Sequence, residues 1–270
     1  MTSSDSLFTG SIPEVYDRYL VPLIFEAPAR DLVSRLLRAE PKHVLETAAG
    51  TGALTRELAS MLPASGSIVA TDLNQAMLDH AATRLSSPGR LTWQKADALA
   101  LPFEDHTFDA VACQFGIMFF PDKIQGCREA KRVLKPGGAF VFNVWDRIAD
   151  NEFADVVTQV LATMFPKDPP TFLARTPHGY HDLAEIRQHL TAAGFALIEM
   201  DKFAATSSAP SARDVAIAYC RGTPLRHEIE ARDPSRLKEA TQKSTEALVR
   251  QFGSGAVEGR IQAHVITAKV

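Results

Sequence analysis

The 270-residue sequence lacks several features that would mark it as something other than an ordinary globular protein. Its three cysteines, Cys113, Cys127 and Cys220, do not make an even disulfide set, and their spacing fits no metal site. We expect them to be reduced thiols of a cytoplasmic protein. Basic residues are not in excess either: Lys and Arg number 29 against 32 Asp and Glu, which gives a net charge of −3. This sign argues against a nucleic-acid partner, because binding to phosphates needs a basic surface.

Long apolar segments are also missing. No apolar run reaches the ~18 residues of a membrane span, and the first residues, MTSSDSLFTGSIPE, lack the charged start and apolar core of a signal peptide. With 46% hydrophobic and 23% charged residues, the composition is typical of a globular protein. We therefore expect a soluble, intracellular chain without a membrane span, and its length favours one elaborated domain.

What the sequence does contain is a regular alternation of strand-like and helix-like segments between residues 43 and 146. Short apolar runs predict strands over residues 43–48, 67–72, 91–95, 109–115 and 138–145, and helices over 54–62, 75–85 and 124–134. Such alternation gives a parallel sheet covered by helices on both faces. The predicted fold is therefore α/β and doubly wound.

The flanking segments are less regular. Residues 14–39 have helical periodicity that Pro22 and Pro28 interrupt, which predicts a short helix, a bend and a longer helix. After residue 146 the patterns predict helices over 152–165 and 182–193, a proline-rich loop over 166–180, and strands over 195–203 and 260–269. The stretch between these two strands carries helical segments over 212–219 and 237–252. We interpret it as an insertion, with a substrate lid as its expected use.

The segment ETAAGTGALT, residues 46–55, follows the first strand at the place where such sheets bind ligands. Gly50 and Gly52 lack a Cβ, so the backbone can turn sharply and approach a ligand. Thr51 lies at the start of the next helix, where free N–H groups attract negative charge. Glu46 has the opposite sign and could face a cationic group of the same ligand. A tight turn without a ligand and a dinucleotide site are the alternatives.

Two further carboxylates follow neighbouring strands. Asp72 ends the second strand, where it could accept hydrogen bonds from a ribose diol, although it could also serve only the start of the next helix. Asp97 follows the third strand, with a simple loop cap as its alternative role.

Together these segments resemble the class I S-adenosylmethionine-dependent methyltransferases, in particular the small-molecule group that includes the enzymes of ubiquinone and menaquinone biosynthesis. VLETAAGTG is similar to the first motif of that family, IVATDLN to its ribose-binding motif, and RVLKPGGAFVFNVWD to the segment that closes its core. The resemblance implies a Rossmann-like, seven-stranded mixed sheet whose last strand is antiparallel, with a helical insertion. It covers residues 43–146 most clearly and residues 147–270 only in outline.

The resemblance also implies the cofactor contacts. Glu46, Ala48 and the two glycines would line the methionine part, Asp72 the ribose and Leu73 the adenine. Asp97 and Ala98 would contact the adenine edge, and Gln114 and Phe115 would form a floor beneath the sulfonium. Tyr16 and Tyr19 match a helix that closes over the cofactor, with ordinary amphipathic packing as the alternative. The full expected set is Tyr16, Tyr19, Glu46, Ala48, Gly50, Thr51, Gly52, Asp72, Leu73, Met77, Asp97, Ala98, Gln114 and Phe115.

One departure from the family pattern lies in the turn itself, where Ala48 and Ala49 replace a glycine and a small residue. Because alanine tolerates fewer conformations than glycine, we expect φ to stay negative at Ala48.

The catalytic residues are not assigned by the sequence. Methyl transfer depends mainly on alignment of the reactants, and a general base is needed only if the acceptor must lose a proton. His178, Tyr180 and His181, in RTPHGYHD, are candidates, with polar residues of a surface loop as the alternative. No metal site is expected.

The predicted function is transfer of a methyl group from S-adenosylmethionine to O, N or C of a small molecule. Residues 1–40 would form a helical cap, 41–146 the cofactor-binding core, and 147–270 the rest of the sheet, with insertions near 151–180 and 204–258, in one domain. The alternatives are an RNA or protein methyltransferase, a catalytically silent cofactor-binding protein and, less favoured, an NAD-dependent oxidoreductase. The sequence does not indicate the oligomeric state.

Overall fold

The computed structural model describes residue 8, residues 10–87 and residues 89–270. The described chain divides into two compact units. The sheet unit comprises Glu26–Val144, Tyr180–Phe203 and Ala263–Val270. The helical unit comprises the described residues up to Phe25, together with Trp145–Gly179 and Ala204–Gln262. The domain boundaries drawn from the sequence remain a prediction.

The regular elements follow one another along the chain in a largely alternating order. The strands are β1 (His43–Glu46), β2 (Ser67–Asp72), β3 (Leu91–Lys95), β4 (Phe108–Gln114), β5 (Leu134–Trp145), β6 (Leu197–Ala209) and β7 (Val257–Lys269). The α-helices are α1 (Ile12–Val15), α2 (Glu26–Leu36), α3 (Ala53–Met61), α4 (Gln75–Arg84), α5 (Lys123–Val133), α6 (Glu152–Met164), α7 (Phe172–Arg175), α8 (Leu183–Ala192), α9 (Ala212–Arg221), α10 (Leu225–Arg232) and α11 (Leu237–Phe252).

The seven strands form one sheet in the order β3-β2-β1-β4-β5-β7-β6. β1 is parallel to β2 and to β4, β2 is parallel to β3, and β4 is parallel to β5. Six strands are parallel and the last is antiparallel, so the predicted doubly wound α/β fold is confirmed. The carboxyl ends of β1, β2 and β4 therefore lie along the same edge of the sheet, and this edge carries most of the predicted cofactor residues.

The core of the sheet unit lies where α2 and α3 pack on the strands. Leu32 and Val33 of α2, Leu58 of α3, and Val44 and Ala112 of the strands all belong to one buried cluster. Each has 0% of its surface exposed. Strands buried in this way need apolar side chains on both faces, which explains their nearly continuous apolar runs.

In the helical unit, α11 packs against both α6 and α9, and the segment Tyr16–Phe25 packs against α9. This segment is a π-helix that continues directly from α1 and contains Pro22. The predicted interruption at the prolines is therefore wrong, because the wider π turn accommodates a residue without an N–H group. Within the described part of the chain, none of the helices combines the length and the apolar character that crossing a membrane requires.

Three smaller sequence predictions also need correction. The first strand ends at Glu46 rather than at residue 48, and the loop predicted over residues 166–180 contains α7. The fifth strand begins at Leu134, before the two glycines, because its pairing with β4 shifts register between Phe108 and Ala110.

Candidate functional site at the carboxyl edge of the sheet

Glu46 is the last residue of β1, and it is the most deeply buried carboxylate at this edge, with 1% of its surface exposed. Thr55 of α3 donates a hydrogen bond from Oγ1 to Glu46 Oε2 at 2.6 Å. Burial raises the pKa of Glu46 to about 8, and the neighbouring carboxylate of Asp72 acts in the same direction. A buried acid with one short hydrogen bond is poised to ionise when a cationic group approaches.

Asp72 ends β2, the strand next to β1, and joins the two turns that follow these strands. Its Oδ2 accepts a hydrogen bond from Gly50 N at 2.8 Å, and its Oδ1 accepts one from Asn74 N at 2.7 Å. Burial raises the pKa of Asp72, against the opposite effect of these backbone N–H groups. A carboxylate has about four lone-pair sites, so the group retains capacity to accept a hydrogen bond from a ligand hydroxyl. Asp72 therefore does serve the start of the next helix, the alternative role given for it in the sequence analysis.

The turn between Glu46 and α3 has three residues in the left-handed region: Ala48 (φ +54°), Gly50 (φ +56°) and Gly52 (φ +82°). The prediction that φ stays negative at Ala48 is therefore wrong. The reason is tertiary, because Thr47 N is bonded to Ala112 O of β4 and Ala49 N to Thr71 O of β2, each at 2.9 Å. These two bonds fix the chain before and after Ala48 and override the preference of alanine.

The two glycines of this turn are needed for different reasons. A Cβ at Gly52 would lie 2.9 Å from the Trp93 ring, so this glycine is required by packing as well as by its positive φ. At Gly50 the nearest atom to a Cβ would be Met77 Cε at an ordinary 3.5 Å, so conformation is the main requirement there. Between them Thr51 is buried, and among the described residues its Oγ1 has no hydrogen-bond partner.

The residues expected around the adenine lie after β2 and β3. Leu73 directly follows Asp72 and has 56% of its surface exposed, which is unusual for a large apolar side chain in this protein. Asp97 is exposed, and its Oδ1 accepts a hydrogen bond from Leu99 N at 2.9 Å. This is the loop cap given as the alternative for Asp97. The neighbouring Ala98 is half-buried.

Gln114 and Phe115 lie where β4 ends, at the same edge. Both are buried, and Phe115 has φ +50°. Phe115 N donates to Asn143 Oδ1 at 2.9 Å. The sequence analysis did not identify Asn143 and Thr55 as residues of this edge. For Asn143 the sequence offered one indication, a single polar residue inside the apolar run FVFNVW.

The other candidate residues are divided between the two units. Tyr16 and Tyr19 lie in the helical unit, where the Tyr16 ring packs 5.1 Å from that of Phe25. His178 lies there too, and its Nδ1 is 2.8 Å from the carbonyl oxygen of Asp146. Because a carbonyl only accepts, we assign the imidazole proton to Nδ1.

Tyr180 and His181 belong to the sheet unit. The Tyr180 hydroxyl is 2.9 Å from His189 Nδ1, and burial raises the pKa of Tyr180 strongly. Tyr180 is therefore a poor proton acceptor near neutral pH. His181 is half-buried.

Metal binding has no support in the described part of the structure. The residues described there include no group of three or more His, Cys, Asp or Glu side chains placed to hold a metal ion. Cys113, Cys127 and Cys220 are all buried and free, and burial raises the pKa of the Cys113 thiol to about 11.

The strand order and the acidic turns at the carboxyl edge define a class, the Rossmann-like S-adenosylmethionine-dependent methyltransferases. A model of the ubiE/COQ5 methyltransferase family matches residues 28–211, and the chain belongs to that family. The resemblance drawn from the motifs is thereby confirmed, and with it the predicted enzyme class. S-adenosylmethionine, the predicted cofactor, is the methyl donor of this family.

Individual relatives agree with this assignment. The ubiquinone/menaquinone biosynthesis C-methyltransferase UbiE of Hahella chejuensis is 41% identical over 98 residues, which are 35% of this chain and 39% of that protein. The protein of the same name from Idiomarina loihiensis is 30% identical over 168 residues, 58% of this chain and 67% of that one. Among solved structures, phosphoethanolamine N-methyltransferase 2 of Haemonchus contortus, in complex with S-adenosyl-L-methionine, superposes with a TM-score of 0.61 at 17% identity, covering 100% of this chain and 60% of that chain. This last likeness concerns the fold alone.

Proposed function

We propose that this chain transfers the methyl group of S-adenosylmethionine to a ring carbon of a small hydroquinone-like molecule. Family membership supports the methyl transfer, and the names of the two UbiE relatives support an aromatic quinone precursor methylated on carbon. The structural observation that supports binding of the methyl donor is the buried Glu46, a carboxylate with a raised pKa at the end of β1.

The residues of this edge fit the cofactor. A buried acid of raised pKa suits a ligand that brings a positive ammonium group, because the pair is then neutral. Thr51 offers a buried hydroxyl without a partner among the described residues. Beside Asp72, the exposed Leu73 offers an apolar surface to a flat base. Acid, hydroxyl and apolar surface are thus present within two adjacent turns.

When bound, the cofactor supplies a methyl group already activated on a positive sulfur. The chain itself has to bind, orient and keep water away, and orientation alone is worth about 7–11 kcal/mol of the barrier. Asp72 would hold the ribose hydroxyls, Glu46 the ammonium group and Leu73 the adenine. Gln114 and Phe115 would support the reacting end.

A ring carbon of a hydroquinone becomes a strong nucleophile when its hydroxyl loses a proton, so this acceptor requires a base. The candidates for this base are His178, Tyr180 and His181. Tyr180 is less suitable because its raised pKa keeps it protonated.

Two measurements test the proposed function. Calorimetric titration should show binding of S-adenosylhomocysteine and none of NADH; stabilisation by NADH alone would replace the proposal by an oxidoreductase. Transfer of labelled methyl groups should then be found with hydroquinones and not with the oxidised quinones, amines or RNA. Labelling of RNA or protein instead would show a macromolecular acceptor, and binding without transfer to any acceptor class would indicate a silent cofactor-binding protein.

A further inference from the structure

Asn143 is the feature of the sheet unit that the proposed function leaves unused. It lies in β5, directly beside Gln114 of β4 in the parallel register. Its side chain is completely buried, with 0% of its surface exposed. The neighbouring residues of the strand, Phe142 and Val144, are apolar and equally buried. Burial of an amide side chain among apolar residues lowers the stability of the fold unless the amide forms hydrogen bonds.

The carbonyl oxygen of the Asn143 side chain holds the turn after β4. Phe115 N donates to Asn143 Oδ1 at 2.9 Å and also lies 3.3 Å from the backbone oxygen of Asn143. Phe115 has φ +50°, a conformation that a bulky residue rarely adopts without support. The two acceptors of Asn143 provide that support, because they fix the direction of the Phe115 N–H group.

The nitrogen of the Asn143 side chain differs from its oxygen. It is buried, and among the described residues Nδ2 has no hydrogen-bond partner. Since Phe115 N needs an acceptor, the amide must keep Oδ1 on that side, and the unsatisfied donor follows from this choice. A leucine of similar shape would avoid the unsatisfied donor. The asparagine therefore supports the Phe115 turn although its buried, unsatisfied donor lowers the stability of the protein.

The turn held by Asn143 packs on the turn that follows β1. Gly116 comes after Phe115, and a Cβ at Gly116 would lie 2.4 Å from Ala48 Cβ and 2.8 Å from Cys113 Sγ. The two turns therefore meet at van der Waals contact, with Ala48 on one side and a bare glycine on the other. A change of φ at Phe115 would move Gly116 against Ala48, and Ala48 lies two residues after Glu46.

We propose that Asn143 is a positioning residue for the methyl-donor site: it fixes Phe115 in the left-handed conformation and thereby sets the positions of Gln114, Gly116 and Ala48. The proposal rests on the proposed function, because the site it positions is the cofactor site. It does not require Asn143 to touch the cofactor. It predicts that loss of the amide weakens donor binding even if the protein becomes no less stable.

A double-mutant cycle read by calorimetry tests the proposal, with S-adenosylhomocysteine as the ligand. Asn143→Leu should weaken binding about tenfold, because Phe115 N loses its closer acceptor and keeps only the backbone oxygen of residue 143, at 3.3 Å. Glycine adopts positive φ without support, so in a Phe115→Gly background the same substitution should change the affinity less than twofold. Asn143→Asp, which keeps an acceptor for Phe115 N, should restore most of the affinity.

Asp109→Leu is the matched control. Asp109 Oδ2 also accepts backbone N–H groups of β1, from Lys42 at 2.9 Å and His43 at 2.8 Å, at the amino end of the strand. This variant should lower the melting temperature and leave the affinity unchanged.

The outcomes separate the two proposals. If the wild-type protein does not bind S-adenosylhomocysteine, the proposed function fails, and the positioning role fails with it. If the wild type binds and Asn143→Leu binds equally well, or loses the same factor in both backgrounds, only the role of Asn143 is refuted. Should Asn143→Leu not fold, Asn143→Ala supplies the same cycle with the same criteria.

Discussion

Replacement of Glu46 by glutamine should make the protein more stable at alkaline pH and weaken its binding of the methyl donor. Burial raises the pKa of Glu46 from its ordinary 4.5 to about 8. The folded state therefore holds a proton that the unfolded chain has released between these pH values. Stability from this group is complete below about pH 4.5 and is lost as the pH rises through 8. Glutamine keeps the shape and an oxygen for Thr55, and it has no proton to lose.

The size of the effect follows from the pKa difference. Each pKa unit corresponds to about 1.4 kcal/mol, so the wild type should lose about 3–4 kcal/mol of unfolding free energy relative to Glu46→Gln between pH 5 and pH 8. For a chain of this size that is about 10 °C in melting temperature. The measured difference also contains a contribution from Asp72, whose pKa is raised by burial and whose carboxylate interacts with that of Glu46.

Thermal denaturation of both proteins at half-unit pH intervals, without ligand, measures the difference. A constant difference in melting temperature across this range would refute the reasoning, since Glu46 would then be ionised throughout. Titration with S-adenosylhomocysteine at pH 8 completes the test. The glutamine variant should bind more weakly because it cannot provide a negative charge for the ammonium group, and equal affinity would remove Glu46 from the cofactor site.

Three further predictions use other residues of the sheet unit. Ala48→Gly should raise the melting temperature by about 2–4 °C, because it relieves about 1 kcal/mol of left-handed strain; a lower melting temperature would show that the Ala48 methyl group contributes more by packing. Asp72→Ala should weaken S-adenosylhomocysteine binding by about 1.5–3 kcal/mol in calorimetry, through loss of charge-assisted hydrogen bonds, and unchanged affinity would place the ribose elsewhere. Tyr180→Phe should cost about 1 kcal/mol of stability in denaturant unfolding, through loss of the hydrogen bond to His189, and leave kcat intact; a large loss of kcat with unchanged stability would instead make Tyr180 a catalytic residue.

The sequence predicted well those features that depend on local chemistry. β2 and β3 have the predicted bounds, and Asn74, a residue type that favours the N-cap position, caps α4 by accepting a hydrogen bond from Ala76 N at 3.1 Å. Strand periodicity, capping side chains and glycines act within a few residues, so they can be recognised without knowledge of the fold. The positions of Glu46 and Asp72 at one edge follow in the same way, because parallel strands bring their carboxyl ends together.

The rest depends on contacts between distant segments. The conformation of Ala48 is set by bonds that its neighbours make to β2 and β4, and nothing in its local sequence indicates a positive φ. Asn143 and Phe115 are 28 residues apart, so a polar residue in an apolar strand could not be connected with the turn that it holds. The π-helix that contains Pro22 is a similar case, since a proline by itself predicts an interruption.

The two ends of the central strands differ in a way that bears on function. At the amino end, Asp109 accepts hydrogen bonds from Lys42 N, His43 N and Lys135 Nζ. Burial opposes ionisation of Asp109, but the hydrogen bonds from Lys135 and from the two backbone N–H groups lower its pKa. These interactions stabilise the fold.

At the carboxyl end, in contrast, several groups lie in unfavourable environments or conformations. Glu46 is buried with a raised pKa, and Ala48 and Phe115 are held in left-handed conformations. Thr51 and Asn143 each carry a buried polar atom without a partner among the described residues. Strained backbone conformations and unsatisfied buried polar groups persist when the surrounding structure imposes them. They are found most often at sites where a ligand binds. A ligand bound at the carboxyl edge would account for the contrast, because it would offer partners to the buried polar atoms there. Binding of the donor should therefore stabilise the carboxyl end selectively, which hydrogen exchange of the amides of Ala48 and Phe115, compared with those of Lys42 and His43, would measure.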